Sequence, residues 1–155
     1  MKIKQALVIG LAAVSIAACG GAKKDDGGTT PMAPKGDTLY ARLGGEAGLK
    51  GVVKDFVENN VAKDARINTA FANADIPNLE KKLYEQICSA SGGGCTYTGK
   101  DMKTAHANMK IKPADFDALV EDLVKALDNA KVAEADKQTL LGVLGPMKPD
   151  IVTVP

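Results

Sequence analysis

The single histidine of the chain, His106, is the residue best suited to binding chemistry. It lies within the stretch 97–111, with Met102 and Met109 about one helical turn before and after it. This spacing predicts an imidazole that faces an apolar wall, where a neutral ring offers a nitrogen lone pair to a metal. A hydrogen-bonded histidine at the edge of a core would show the same pattern, so both interpretations stay open on this stretch alone.

Haem iron is the metal most often held by one histidine in an otherwise apolar lining. Zinc fits less well, because Cys88 and Cys95 with one distant histidine would leave a ligand missing. The chain contains no HExxH, GxSxG or phosphate-loop pattern, and its one histidine cannot serve two sites. The residues therefore favour a haem pocket over a nucleophile and base pair.

Apolar residues at steps of three and four predict helices on both sides of the histidine. A short helix over 39–43, capped by Asp37 or Thr38, precedes one ending near Val61, and a third is capped by Asp75 with Pro77 in its first turn. Pro113 opens a strongly periodic helix, and a last helix from about Ala133 is closed by Pro146 and Pro149. No strand alternation or long repeat occurs, so the sequence predicts an all-α domain whose helices cross around a pocket.

The motifs around the histidine are found together in one family. The turn Tyr97-Thr98-Gly99 before the histidine helix, the opening segment 39–46 (LYARLGGE), the segment 52–56 (VVKDF) and Phe71 resemble the group I truncated haemoglobins. The resemblance runs from Leu39 to Val152 with the motifs in family order. It implies a truncated globin-like fold around haem, His106 as the proximal iron ligand, and reversible binding of oxygen or another diatomic gas.

The resemblance also implies a set of porphyrin contacts, and two of them depart from the family pattern. The implied contacts are Phe56, Val57, Phe71, Leu79, Lys82, Leu83, Tyr97, Met102, Ile111 and Phe116. Val57 and Leu83 stand where many relatives carry a tyrosine and a glutamine that donate hydrogen bonds to bound oxygen. Such a bond is worth ~1.5–3 kcal/mol, so its loss predicts faster oxygen release by roughly ten- to a hundredfold.

Four lysines near this predicted pocket have open roles. Lys82 lies between the apolar and polar faces of the third helix. There it would bond the gas ligand, coordinate iron as a sixth ligand after losing its proton, or remain in solvent. Lys100, Lys103 and Lys110 would reach the haem propionates or lie on the surface.

The first 19 residues read as an export signal. Lys2 and Lys4 precede an uncharged run over 6–18, which is too short for an ordinary transmembrane helix. The ending Ile16-Ala17-Ala18-Cys19-Gly20 resembles the cleavage box of bacterial lipoproteins. We expect a signal peptide over 1–18, lipidation at Cys19, a flexible tether over 19–37 and a globin domain over 38–155. An ordinary signal peptide or an uncleaved anchor is the alternative.

Export would place the remaining cysteines where thiols oxidise. We therefore expect Cys88 and Cys95 to pair, closing a loop worth roughly 2–3 kcal/mol, with two free buried thiols as the alternative. The expected location is a bacterial membrane surface facing the periplasm or the cell exterior, with membrane contact only through the lipid.

Composition excludes several other functions. With 155 residues, a net charge of +1 and 45% apolar residues, the chain suits one globular domain and offers no basic surface for nucleic acid.

Two alternatives to a gas-binding haem protein remain. One is a nitric oxide dioxygenase or peroxidase served by an external reductase, since no flavin or nicotinamide motif is present. The other is a haem-free helical lipoprotein that contacts partners.

Overall fold

The computed structural model describes residues 36–155, so the predicted signal peptide, Cys19 and most of the tether lie outside the described residues. Within the described part every regular element is helical, which confirms the all-α prediction. The α-helices are α1 (Leu39–Arg42), α2 (Gly45–Lys54), α3 (Ile76–Ala90), α4 (Met102–His106), α5 (Pro113–Asn129), α6 (Glu134–Leu144) and α7 (Lys148–Ile151). Across 36–155, no helix has the length and apolar content needed to cross a membrane.

Local signals place the starts of these helices where the sequence predicts them. The Thr38 hydroxyl accepts a hydrogen bond from the amide of Ala41, and Asp75 accepts one from the amide of Asn78, so both side chains cap their helices. Pro113 begins α5, where its missing amide hydrogen costs nothing.

The second helix does not continue as a regular α-helix. After α2 the chain forms a π-helical turn over Asp55–Asn60 and then a 3-10 turn over Val61–Lys63. The side chain of Asn60 also bonds to the start of this wider turn, because its Nδ2 atom donates to the backbone oxygen of Asp55 at 3.0 Å. The apolar stripe predicted here is nevertheless buried, with Leu49, Val52 and Val53 at most 2% exposed.

The core lies where this second helical segment packs against α3, α5 and α6. Leu127 and Ala126 of α5 and Leu140 of α6 are fully buried within it. Cys88 of α3 belongs to this core and is bonded to Cys95, with their Cα atoms 5.7 Å apart. The bond ties the end of α3 to the segment that leads to α4.

The structure differs from two of the predicted helices. The histidine helix stops at His106, so Met109 lies in the loop that follows it. The helix predicted from about Ala133 is α6, which ends at Leu144 just before Pro146, but it is not the last one. Pro146 lies in the first turn of the 3-10 turn Gly145–Met147, and Pro149 lies in the first turn of α7. Proline is tolerated at that position, since the amide it lacks has no partner in a first turn.

Candidate functional site

A cavity of about 840 Å³ lies between α3, α4, α5 and the C-terminal segment. Among the residues that the sequence singled out, it is lined by Phe56, Phe71, Leu79, Lys82, Leu83, Tyr97, Met102, His106 and Phe116. Further residues on its wall include Gln86, Ile87, Met109, Leu119, Leu123, Leu141, Leu144, Met147 and Ile151. The wall is therefore mainly apolar, and its size falls in the upper part of the range for small-molecule sites, ~300–1,000 Å³.

The orientation of His106 is set by its own helix. The Nδ1 atom lies 2.7 Å from the backbone oxygen of Met102. Because a carbonyl oxygen only accepts, the proton of the neutral ring is on Nδ1, and the lone pair of Nε2 stays available. Asp101 caps the helix by accepting from the Thr104 amide at 2.9 Å. Hydrogen bonding from the side chain of Thr104, and then from its amide, holds the pKa of the Asp101 carboxyl below its usual range.

The turn before this helix is folded around Tyr97. Its phenol donates to the backbone oxygen of Lys100 at 2.7 Å, and burial raises the pKa of that phenol. Gly99 lies directly against the ring: a Cβ atom there would come within 2.1 Å of the Tyr97 hydroxyl oxygen. Only glycine allows so close an approach, which explains its place in the turn.

The same turn is fastened to α3 through Glu85. The Thr98 amide and hydroxyl both donate to Glu85 Oε2, at 3.0 Å and 2.6 Å. The Lys82 ammonium group contacts this pair, 3.4 Å from Glu85 Oε2 and hydrogen-bonded to the Thr98 hydroxyl. The bonds from Thr98, and to a lesser extent Lys82, hold the pKa of Glu85 below its usual range. Lys82 lines the cavity while its charge is paired at the rim.

Two expected contact residues are not on the cavity wall. Val57 is only 2% exposed but belongs to the core, and Phe56 faces the cavity instead. The prediction followed from the resemblance, which aligns Val57 with a tyrosine that donates to bound oxygen, and the π turn over Asp55–Asn60 changes the direction of side chains after residue 55. Ile111 also lies off the wall, because the chain leaves helix α4 at His106 and turns away. Of the three further lysines, Lys100 lines the cavity, whereas Lys103 and Lys110 do not.

Sequence reasoning missed one polar residue of the cavity. Gln86 donates through Nε2 to the sulfur atoms of Met102 at 3.4 Å and Met147 at 3.2 Å. It follows Leu79 and Leu83 by seven and three residues, so helical spacing places it on the same face. This spacing could have identified Gln86 as a cavity residue from the sequence.

The protein offers a single metal-binding atom here, which fits a metal whose other ligands come from its own cofactor. Among residues 36–155 no three histidine, cysteine or acidic side chains come together to hold an ion. One imidazole nitrogen in an apolar wall suits haem, whose macrocycle supplies four ligands to iron. The rim residues Lys82 and Lys100 match the negative charge of its propionates.

Comparison with known proteins gives the family. Residues 38–153 match the family model described as bacterial-like globin. The chain is 34% identical over 101 residues to a group 1 truncated hemoglobin from Tetrahymena pyriformis, which covers 65% of this chain and 83% of that protein. It is 31% identical over 116 residues to group 1 truncated hemoglobin GlbN from Mycolicibacterium paratuberculosis, covering 75% and 85%.

Solved structures agree with this assignment. The Fe(III) form of truncated hemoglobin from Tetrahymena pyriformis superposes with a TM-score of 0.71 at 30% identity, covering 75% of this chain and 98% of that one. A 2/2 hemoglobin from a Synechococcus species, in the cyanomet state with covalently attached heme, gives 0.70 at 27% identity and the same coverage. Family membership implies haem binding in this fold. The chain belongs to the bacterial-like globin family and has the truncated haemoglobin fold.

Proposed function

We propose that this chain binds haem through Nε2 of His106 and reversibly binds a diatomic gas. The observation that carries the proposal is the 2.7 Å bond from His106 Nδ1 to the Met102 oxygen, made in the wall of an apolar cavity of about 840 Å³. It leaves Nε2 of the imidazole free to bind a metal in the cavity wall, at a position that resembles the proximal histidine of the family. The haem iron supplies the position to which oxygen, nitric oxide or carbon monoxide attaches.

The residues of the chain would orient the cofactor and exclude water. Phe71 and Phe116 offer flat apolar faces to the porphyrin, and Lys82 and Lys100 offer positive charge to its propionates at the rim. His106 would hold the iron in one orientation, because its second nitrogen is already bonded within helix α4.

The gas-binding face would be apolar. Leu79 and Leu83 of α3 line the cavity, and Val57 is buried in the core, so none of the three positions offers a hydrogen-bond donor. Gln86, the donor on the same face of α3, gives its Nε2 hydrogens to the sulfur atoms of Met102 and Met147. Without a donor the oxygen complex lacks ~1.5–3 kcal/mol of stabilisation, which corresponds to release roughly ten- to a hundredfold faster. The proposed role is therefore reversible binding with rapid release, not tight storage.

The test of the proposal compares two forms of the haem-reconstituted chain. We expect the wild type to show a Soret band that shifts when carbon monoxide is added to the ferrous form. His106→Ala should lose that band or bind haem much more weakly, and added imidazole should restore it by occupying the space left behind. Met109→Leu is the matched control, because Met109 also lines the cavity but has no assigned ligand role. An alanine variant with the wild-type band would overturn the proposal.

We further propose that the protein is exported and anchored by lipid at Cys19. Support comes from the charged start, the uncharged run and the small residues before that cysteine. Expressed in a bacterial host with an alkyne-labelled fatty acid, the wild type should carry the label and sediment with membranes. A Cys19→Ser variant should do neither, and a labelled serine variant would overturn the assignment.

Export would also keep the bond between Cys88 and Cys95 intact. The bond closes a short loop in front of Tyr97, so its loss should lower the free energy of unfolding by about 2.5 kcal/mol on the chain-entropy estimate. Mass measurement after alkylation should find no free thiol at either position without prior reduction. Alkylation of both cysteines in the unreduced exported protein would contradict the pairing.

A further inference from the structure

The C-terminal end of the chain is bonded to the loop that follows helix α4. The Ile111 amide donates to Oγ1 of Thr153 at 2.9 Å. In return, the amides of Thr153 and Val154 donate to the Ile111 oxygen at 2.9 Å and 3.1 Å. We call these three bonds the C-terminal clasp. Both backbone polar groups of Ile111 are thus satisfied by residues 42 or more positions later in the chain.

The segment that forms the clasp also covers the cavity. Met147 and Ile151 line its wall, and helix α7 packs directly against α4. The sulfur of Met147 accepts from Gln86 of α3 at 3.2 Å. The last residues of the chain therefore contact the cavity wall, the histidine helix and the loop after it.

The loop between His106 and Ile111 needs such support. Helix α4 has five residues, which is far below the length at which an isolated helix is stable. The loop continues with a bond from the Met109 amide to the His106 oxygen at 3.0 Å. Lys110 then adopts φ 53°, a left-handed conformation that costs a non-glycine residue ~1 kcal/mol and persists only when its surroundings fix it.

We propose that Thr153 is a positioning residue for His106. By fixing Ile111, the clasp holds the far end of the strained loop and so sets where helix α4, and the imidazole it carries, lies in the cavity wall. This inference rests on the proposed function, because it assigns to the clasp control of the bond between His106 and haem iron.

The test uses the full chain loaded with haem and two substitutions at one position. Thr153→Val keeps the shape of the side chain but removes the acceptor for the Ile111 amide, whereas Thr153→Ser keeps the acceptor. Thr153→Val should shift the iron–histidine stretching band of the ferrous protein and speed haem loss to a scavenger by ~5-fold, the loss of one hydrogen bond. Thr153→Ser should behave as the wild type.

A matched control separates this effect from general destabilisation. Thr139 of α6 is exposed and donates to the Ala135 oxygen, so Thr139→Val removes one threonine bond away from the clasp. It should leave both the band and the haem loss rate unchanged. An equal effect of the two valine substitutions would overturn the positioning role.

Hydrogen exchange of the haem-free protein supplies a readout that needs no cofactor. The Ile111 amide should exchange faster in Thr153→Val than in the wild type, and unchanged exchange would overturn the clasp itself. A second outcome is that Thr153→Val exchanges the Ile111 amide faster but keeps the wild-type band and haem loss rate. If His106→Ala still loses haem, this outcome would overturn the positioning role alone. If His106→Ala retains haem as the wild type does, the proposed function falls and this inference falls with it, whatever the exchange shows.

Discussion

The Nδ1 atom of His106 lies 2.7 Å from the backbone oxygen of Met102, so the group that orients the imidazole belongs to the same five-residue helix. Within residues 36–155, no other side chain forms a hydrogen bond to the ring. Its orientation therefore depends on whether this short helix stays formed, and Asp101 stabilises the helix by accepting from the Thr104 amide at 2.9 Å.

The first prediction concerns that cap. Asp101→Ala leaves the Thr104 amide unbonded, so helix α4 should fray at its start and haem loss should become roughly threefold to tenfold faster. The rate is measured by transfer of haem to an excess of scavenging protein. Thr38→Ala removes an equivalent cap from α1, away from the cavity, and should leave the rate unchanged. Equal rates for the two variants would show that α4 does not need its cap to hold haem.

The second prediction adds a hydrogen-bond donor to the apolar face of the cavity. Leu83 lines that face on α3, and Leu83→Gln places an amide there with little change in size. Oxygen release should slow by ~10–100-fold, because the new bond stabilises the bound gas. Stopped-flow displacement of oxygen measures the rate. Leu83→Met, which has no donor, should release oxygen as fast as the wild type, and a glutamine variant that matches it would refute the expectation.

The sequence predicted those features that depend on interactions between residues close together in the chain. Asp75 and Pro77 mark the start of α3 through contacts within one turn, and both were recognised in the sequence. His106 was recognised by its type and its neighbours. The position of Ile111 off the cavity wall was not predicted. Its backbone is bonded to residues 42 or more positions later in the chain, and such distant bonds leave no periodic pattern in the sequence.

The π turn and the C-terminal elements were missed for a related reason. Val57 was assigned to the cavity because it aligns with a tyrosine of the family, and that alignment does not reveal how the π turn over Asp55–Asn60 changes the direction of the side chains. Pro146 and Pro149 look like helix ends in the sequence, but each equally suits the first turn of a new element. Local preference permits both outcomes, and helix α7, which has Pro149 in its first turn, packs against α4.

The third prediction concerns Lys82. Its ammonium group is paired with Glu85 and Thr98, so coordination of iron would require it to leave both partners and lose its proton. Lys82→Ala should therefore leave the ferric absorption spectrum unchanged. Lys81→Ala is the control, since the Lys81 ammonium lies 3.9 Å from Glu85 and its side chain is 66% exposed. Loss of low-spin bands in Lys82→Ala alone would instead identify Lys82 as a sixth iron ligand.

The fourth prediction follows from the lowered pKa of Glu85. Because Thr98 stabilises the carboxylate in the folded protein, the contribution to stability is present above the unfolded pKa, near 4.5, and is lost as pH falls through the lower folded value. The wild type should lose stability more steeply than Glu85→Gln as pH falls below 4.5. Urea unfolding of the haem-free proteins across that range measures this. Parallel slopes would show that the bond to Thr98 does not form in solution.

The fifth prediction addresses the end of α5, where the chain reverses through a left-handed residue that is not glycine. Lys131 has φ 59°, and its amide donates to the Asp128 oxygen at 2.9 Å. The next amide, that of Val132, donates to the Leu127 oxygen at 3.0 Å, which completes the pair of bonds that usually ends a helix at glycine.

Lys131→Gly should raise the free energy of unfolding by about 1 kcal/mol, because glycine adopts this conformation without the steric cost that a Cβ atom imposes. Lys131→Ala keeps the Cβ atom and should give no such gain. Urea unfolding of the haem-free chain measures both, and the haem spectrum should stay unchanged because Lys131 is not on the cavity wall. A glycine variant no more stable than the alanine variant would mean that the left-handed turn carries little strain in solution.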